Sequence, residues 1–390
     1  MNNNMKIFTV AASVVLIALF ASFISSDKGS EGPDQPSIVD EWNLVSVYTG
    51  EWVDGVPLYS VDTMQDEKVR IEPYKGDFYT FDDGADKLYC SWDGERMITS
   101  GIDGMAVAVY ISQLPKNDNF MTAAYFEGTD AVVKLYQRQG YVGSFPGFTM
   151  PADLPKVGDV MSSFKNREYT DEGAIDHGVN TLTVKLIEGN MVFCDVLMDD
   201  LQYNYVSICI GGNVFATLGA YEDSYVYDMT EFKNGVMYTS SFDLETRNIW
   251  VTEYGDESKK EYPDKYLSSC EYVGTENYVM FKEGEIVEEG QDNNMSLIVL
   301  GQEDEILSIF VLDEMEAEAA TWTAMFNDSM TTHHYGISVH SYIEYKGVLY
   351  WGHYTGYFKS SDCKELVIHG SLSSAEGYDI VISQEYRLIA

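Results

Sequence analysis

Apolar and polar residues alternate with period two in short runs along most of the chain, the pattern of half-buried β-strands. In the first third these runs fall near 42–48, 69–73, 78–82, 87–92, 96–100, 105–111, 120–126 and 132–138, and they are rich in β-branched and aromatic residues. No stretch holds helical spacing for long. "DEMEAEAATW" is helical by propensity, but it stands where a strand recurs, so at most a short helical insert is expected there.

The runs repeat. "NFMTAAYFEGTDAVVKLYQRQG", "GVMYTSSFDLETRNIWVTEYG" and "GVLYWGHYTGYFKSSDCKELVIHG" end at Gly140, Gly255 and Gly370, a constant spacing of 115 residues (255 − 140 = 370 − 255). "SWDGERMITSG", "ICIGGNVFATLG" and "MFNDSMTTHHYG" match as well. Their central pairs, Asp93-Gly94, Gly211-Gly212 and Asn327-Asp328, suit the positive φ of two-residue hairpin turns. The fold class expected is all-β, with three tandem repeats of about 115 residues, each an eight-strand antiparallel meander.

Eight such strands close into a small up-and-down barrel, which removes exposed edges. The alternative is two four-stranded blades per repeat, giving a six-bladed propeller. The tight turns between the fourth and fifth strands favour the barrel, because a propeller crosses between blades there through a longer link.

Composition adds a cellular address. "MKIFTVAASVVLIALFASFISS" carries one Lys and then an uncharged stretch from Ile7 to Ser26, the form of a signal peptide or N-terminal membrane anchor. The organisation expected is a leader at 1–26, a Gly/Ser/Pro-rich linker at 27–38, and repeats at 39–150, 151–260 and 261–390, placed outside the cell or on its surface. Acidic residues outnumber basic ones 63 to 24, for a net charge of −39. With no Lys/Arg cluster to neutralise phosphates, nucleic acid is excluded as a partner, and membrane contact is limited to the leader.

An exported chain with five cysteines invites disulfides. With the turn at Leu201-Gln202, Cys194 and Cys209 face each other across a hairpin and are the candidate bridge.

The opening strand "EWNLVSVYTGEWVDG", with Trp42 early on strand one, resembles that of lipocalin-like small barrels. "KYLSSCEYVG" keeps the spacing, with Tyr266 at the place of Trp42. The resemblance implies a cavity for a small apolar ligand.

Five of the six histidines lie between 333 and 369. A turn at Lys346-Gly347 sets His340 opposite His353, and a turn at Ser360-Ser361-Asp362 sets His353 opposite His369. Three imidazoles in a row, with neighbouring Cβ atoms about 4.5–5.5 Å apart, suit zinc with an open fourth position. Trp351, Tyr354 and Tyr357 on the same hairpin are candidates for a ligand-binding aromatic strip.

The chain has no G-x-S-x-G, H-E-x-x-H, P-loop or G-x-G-x-x-G motif. Tandem modules serve binding or structural spacing more readily than catalysis, which needs one constellation. The expectation is an exported or surface-tethered binding or structural protein for an extracellular ligand, glycan or protein. The alternatives are a metal-dependent hydrolase centred on the third repeat, and a carrier of a small apolar ligand.

Overall fold

The computed structural model describes residues 38–390 apart from 64–66, 85–86, 100–107, 116, 171–172, 199, 223, 243–247, 261–266, 304–305, 314–318, 328–334 and 390; the side chains of 224, 242 and 303–343 also lie outside the description. The leader at 1–26 is likewise outside the described residues. Among them, no helix is long and apolar enough to cross a membrane.

The alternating runs form strands. The first sheet holds β1 (Glu41–Val53), β2 (Val56–Asp62), β3 (Lys68–Lys75), β4 (Phe78–Asp82), β5 (Lys87–Trp92), β6 (Arg96–Thr99), β7 (Val109–Leu114), β8 (Asn117–Glu127) and β9 (Asp130–Arg138). The second holds β10 (Val160–Thr170), β11 (Gly173–Asp176), β12 (Thr181–Glu188), β13 (Met191–Met198), β14 (Leu201–Gly211), β15 (Val214–Tyr221), β16 (Ser224–Lys233), β17 (Val236–Phe242) and β18 (Ile249–Tyr254). The third holds β19 (Cys270–Lys282), β20 (Glu285–Glu303), β21 (Ile306–Asp313), β22 (Ala319–Asn327), β23 (Tyr335–Tyr345), β24 (Val348–Phe358), β25 (Glu365–Ser374) and β26 (Asp379–Leu388).

Each sheet closes on itself, β1 pairing with β9, β10 with β18 and β19 with β26. Every ring therefore has eight antiparallel strands, since β2 and β11 stand outside as hairpin extensions of β1 and β10. In the third ring one long strand, β20, fills both places: its first half extends β19 and its second half passes on to β21. The six-bladed alternative is thereby corrected. At Asp93-Gly94 and Gly211-Gly212 the chain turns within one continuous sheet, with Gly94 at φ 97° and Gly212 at φ 57°.

The third copy is out of step with the 115-residue spacing. Gly140 and Gly255 follow the closing strands β9 and β18, whereas Gly370 lies inside β25, opposite Tyr354. A Cβ at Gly370 would come 2.6 Å from the Tyr354 ring, so this glycine seats an aromatic side chain and ends nothing.

Trp42 lies in the core of the first barrel, near the start of β1. It is fully buried, its indole Nε1 donates to the Ile38 carbonyl at 3.0 Å, and the Arg138 guanidinium lies over its ring at 4.8 Å. Trp42 pairs with Val69 on β3 and Arg138 on β9; the residue with the matching pairings in the third barrel is Tyr272, opposite Leu297 and Leu388. Tyr266, the residue expected there, lies outside the described residues.

Each ring has its own interior core, and the outer walls are apolar too. Ile98, Tyr110, Ala124 and Val133 of the first barrel pack against Met191, Phe193, Val206 and Ile208 of the second. Phe78 and Tyr89 of the first meet Phe281 and Val381 of the third.

The five cysteines are thiols. Cys194 faces Tyr205, and Cys209 faces Phe215, which corrects the expected bridge. The β13–β14 turn falls between Met198 and Leu201, two residues earlier than Leu201-Gln202, and each residue of turn shift moves the pairing by two. Burial pushes the Cys90 thiol up to about 12, the direction expected of an unreactive core thiol.

Candidate functional site

Strand β16 reads "SYVYDMTEFK". Its alternation turns Tyr227 and Met229 to the outer wall and sends Val226, Asp228 and Phe232 into the second barrel. An aspartate thus takes an inward place, after Val226 on its own strand and opposite Thr217 and Ser241 on the neighbouring ones. Its relative exposure is 4 %.

Asp228 borders a cavity of about 230 Å³ inside the barrel. Tyr203, Tyr205, Tyr225, Trp250 and Tyr254 contribute to its walls. Tyr205 lies across Gly219, its cross-strand partner, where a Cβ would come 2.6 Å from the ring; that glycine lets the tyrosine fold over the strand. At the mouth, His177 and Trp250 stack with ring centroids 4.2 Å apart, and His177 Nε2 is 2.9 Å from Glu168 Oε2.

Much of the polar lining is already satisfied. Asn166 Nδ2 donates to the Gly178 carbonyl at 2.8 Å, and Thr252 Oγ1 donates to Asn166 Oδ1 at 3.2 Å. Thr239 Oγ1 donates to the Thr252 carbonyl at 3.2 Å. Deeper in the barrel, Thr217 Oγ1 lies 2.7 Å from Ser207 Oγ and 3.1 Å from Thr230 Oγ1. Two groups differ. Asp228 Oδ1 and the Tyr205 hydroxyl are buried without a hydrogen-bond partner among the described residues. Desolvation lifts the Asp228 carboxyl to about 7, against a smaller lowering by the Ser241 hydroxyl.

A second cavity, about 450 Å³, opens at one end of the first barrel. Phe81, Val109 and Ala123 face into it, with Phe281 and Gly284 of the third barrel at its edge. On its wall, Lys134 and Tyr136 both bond Glu67, at 3.0 and 2.8 Å.

The sequence-predicted residues of the third barrel lie elsewhere. His340 is opposite His353, as the Lys346-Gly347 turn requires. His369, however, is opposite Thr355, and His353 is opposite Ser371. The loop between β24 and β25 centres on Asp362, one residue later than Ser361, and so moves the pairing by two. His353 and His369 still share a face, 2 % and 1 % exposed, but that face packs on the first barrel. His353 Nδ1 is 3.2 Å from the Tyr110 hydroxyl, and His369 Nδ1 is 2.8 Å from Ser91 Oγ. The His340 side chain lies outside the described residues. Among the described residues, no three His, Cys, Asp or Glu side chains gather as a metal set.

Trp351 and Tyr357 point one way from β24, and Tyr354 points the other, buried in the barrel core, so the three form no single strip.

Ser91 donates its only hydroxyl proton to the Ile382 carbonyl at 2.9 Å, so His369 Nδ1 must carry the proton of their shared bond. Ser91→Ala leaves both partners buried without it. A loss of roughly 1–3 kcal/mol in urea unfolding, with unchanged denaturant slope, is expected; a loss within error would show that the contact between barrels does not depend on this bond.

No protein-family model matches the chain, and no curated protein matches it. Among solved structures, it is similar to isotype 1 transferrin binding protein B from serogroup B Neisseria meningitidis, at 9 % identity and a TM-score of 0.24, over 90 % of this chain and 77 % of that one. A mutant of the vaccine antigen transferrin binding protein B from Haemophilus parasuis Hp5 gives 9 % identity and a TM-score of 0.24, over 92 % and 76 %. At these values the likeness carries no argument about function. The closed antiparallel eight-strand barrels, the kind of fold that the Trp42 strand suggested, stand on this chain's own pairing.

Proposed function

We propose that the chain is an exported binding protein in which the second barrel holds a small ligand. The observation that carries this reading is the cavity around Asp228, lined by aromatic residues that include Trp250, stacked on His177. Its volume, about 230 Å³, is small for a drug-sized ligand and ample for one ring or its equivalent, since an engineered apolar cavity of about 150 Å³ takes benzene. The apolar leader supports a location at the cell surface or beyond.

Filling the mouth tests the reading. Met198 lines the cavity, and Met198→Trp adds bulk there. In a thermal-shift screen against small metabolites, saturable stabilisation of the wild type is expected, accompanied by a change in Trp250 fluorescence and lost in Met198→Trp. A library that shifts both proteins equally, or neither, counts against a ligand in this barrel.

The larger cavity of the first barrel supports a second reading, a carrier of a small apolar ligand. Its inward Val109 and Ala123 leave room beside Phe81, as a carrier barrel requires.

A further inference from the structure

The geometry points to a small organic cation, an ammonium or quaternary ammonium compound, as the ligand class of the second barrel, with the Asp228 carboxylate as its counter-ion and the aromatic walls as its cage. This assignment rests on the proposed ligand cavity and goes one step further, to the charge of what enters it.

Much of the cavity needs no ligand. Asn166, Thr239 and Thr252 are bonded to one another or to backbone, so they make no strong demand on a ligand. Asp228 does. A carboxyl 4 % exposed, with Oδ1 unpartnered among the described residues, is costly unless a donor or a positive charge completes it. The lining residues include no Lys or Arg to serve that role. The titratable side chains that share the cavity are His177 at the mouth and Tyr203, Tyr205, Tyr225 and Tyr254 on the walls.

The walls suit a cation for a separate reason. Aromatic faces carry negative quadrupole density, and cages of Tyr and Trp are a general device for holding quaternary ammonium groups. Burial in such a cage strengthens the attraction by removing water. The Tyr205 hydroxyl, also without a partner among the described residues, is placed to bond a polar arm on the same ligand. Over longer range, the net charge of −39 draws cations toward the mouth. A hard metal ion is a poor alternative, because it asks for six or more oxygen ligands, whereas this lining holds a single carboxylate and Asn166, Thr239 and Thr252 are already bonded.

Choline and dimethylbutanol, its uncharged carbon isostere, separate charge from shape. Calorimetric titration of the full chain is expected to show choline binding, with dimethylbutanol at least roughly tenfold weaker. Asp228→Asn is expected to weaken choline by a similar factor while leaving dimethylbutanol unchanged. Choline keeps its charge at every pH, so its affinity should rise about tenfold from pH 6 to pH 8 as the carboxylate ionises in the free protein. Equal binding of the two probes would overturn the cation assignment and leave the cavity reading standing. Failure of choline to bind would also overturn it, and the metabolite screen then decides the cavity reading by itself. Choline binding that survives Asp228→Asn and Met198→Trp unchanged would place the cation elsewhere and overturn the assignment.

Discussion

Trp42→Ala is expected to destabilise the chain by roughly 3–5 kcal/mol, the range for emptying a buried aromatic site. Three contributions vanish together: the buried indole surface, the bond from Nε1 to the Ile38 carbonyl, and the ring under the Arg138 guanidinium. Collapse into the space is restricted, because Trp42 is tied to both neighbouring strands of the ring, at Val69 and at Arg138. Trp42→Phe keeps most of the apolar bulk but loses the bond to Ile38, and should fall between wild type and alanine. Urea denaturation gives the ordering directly. A cost below about 1 kcal/mol for alanine would mean that this part of the core is held by something other than its tryptophan.

Asp228→Asn acts in the opposite direction. The carboxyl is raised from 3.8 to about 7, mainly by desolvation, so between those values the folded state binds more protons than the unfolded state. Stability supplied by the protonated form is therefore complete below about pH 4 and is lost as pH rises through about 7. A shift of about three pH units corresponds to roughly 4 kcal/mol. Asparagine carries no charge at any pH, so the stability difference between variant and wild type should grow in favour of the variant from pH 4 to pH 8, by an amount of this order. Taking the difference removes the titration of the other carboxylates. Thermal or urea unfolding of both proteins across that range measures it, and a difference that does not change with pH would show that Asp228 is not the buried acid described.

The choline experiment gains from this opposition. A variant that is more stable at neutral pH yet binds choline less tightly cannot owe its binding loss to a damaged fold.

Much of the architecture was legible in the sequence because alternation is a local property. The runs at 69–73, 78–82, 87–92 and 132–138 lie within β3, β4, β5 and β9. The hairpin arm β2 leaves no such mark, because it pairs only with β1 and exposes Val56, Leu58 and Val61, so its pattern signals no core. Register was harder, since it depends on where a turn centres. The Lys346-Gly347 turn is plain in the sequence and fixes His340 opposite His353; the next loop centres on Asp362, one residue after the expected Ser361, and this shifts the pairing of His369 by two places. At the β13–β14 turn the expected centre is two residues late, which moves the partner of Cys194 four places, from Cys209 to Tyr205. The site around Asp228 has a signal in the sequence: an acid at an inward position, between Val226 and Thr230, in an alternating strand. With 63 acidic residues in the chain, that one gained meaning only once the ring had closed around it.

The apolar outer walls carry a consequence for how the chain can be divided. In a bead-on-string protein, each bead has a wettable exterior and survives excision. Here Phe193 and Ile208 of the second barrel face Ile98 and Val133 of the first, and Phe281 of the third faces Tyr89. A fragment holding one ring would present such a wall to water, as an exposed patch of the kind that drives self-association. The three copies cover one another's walls, and a single excised ring is expected to self-associate.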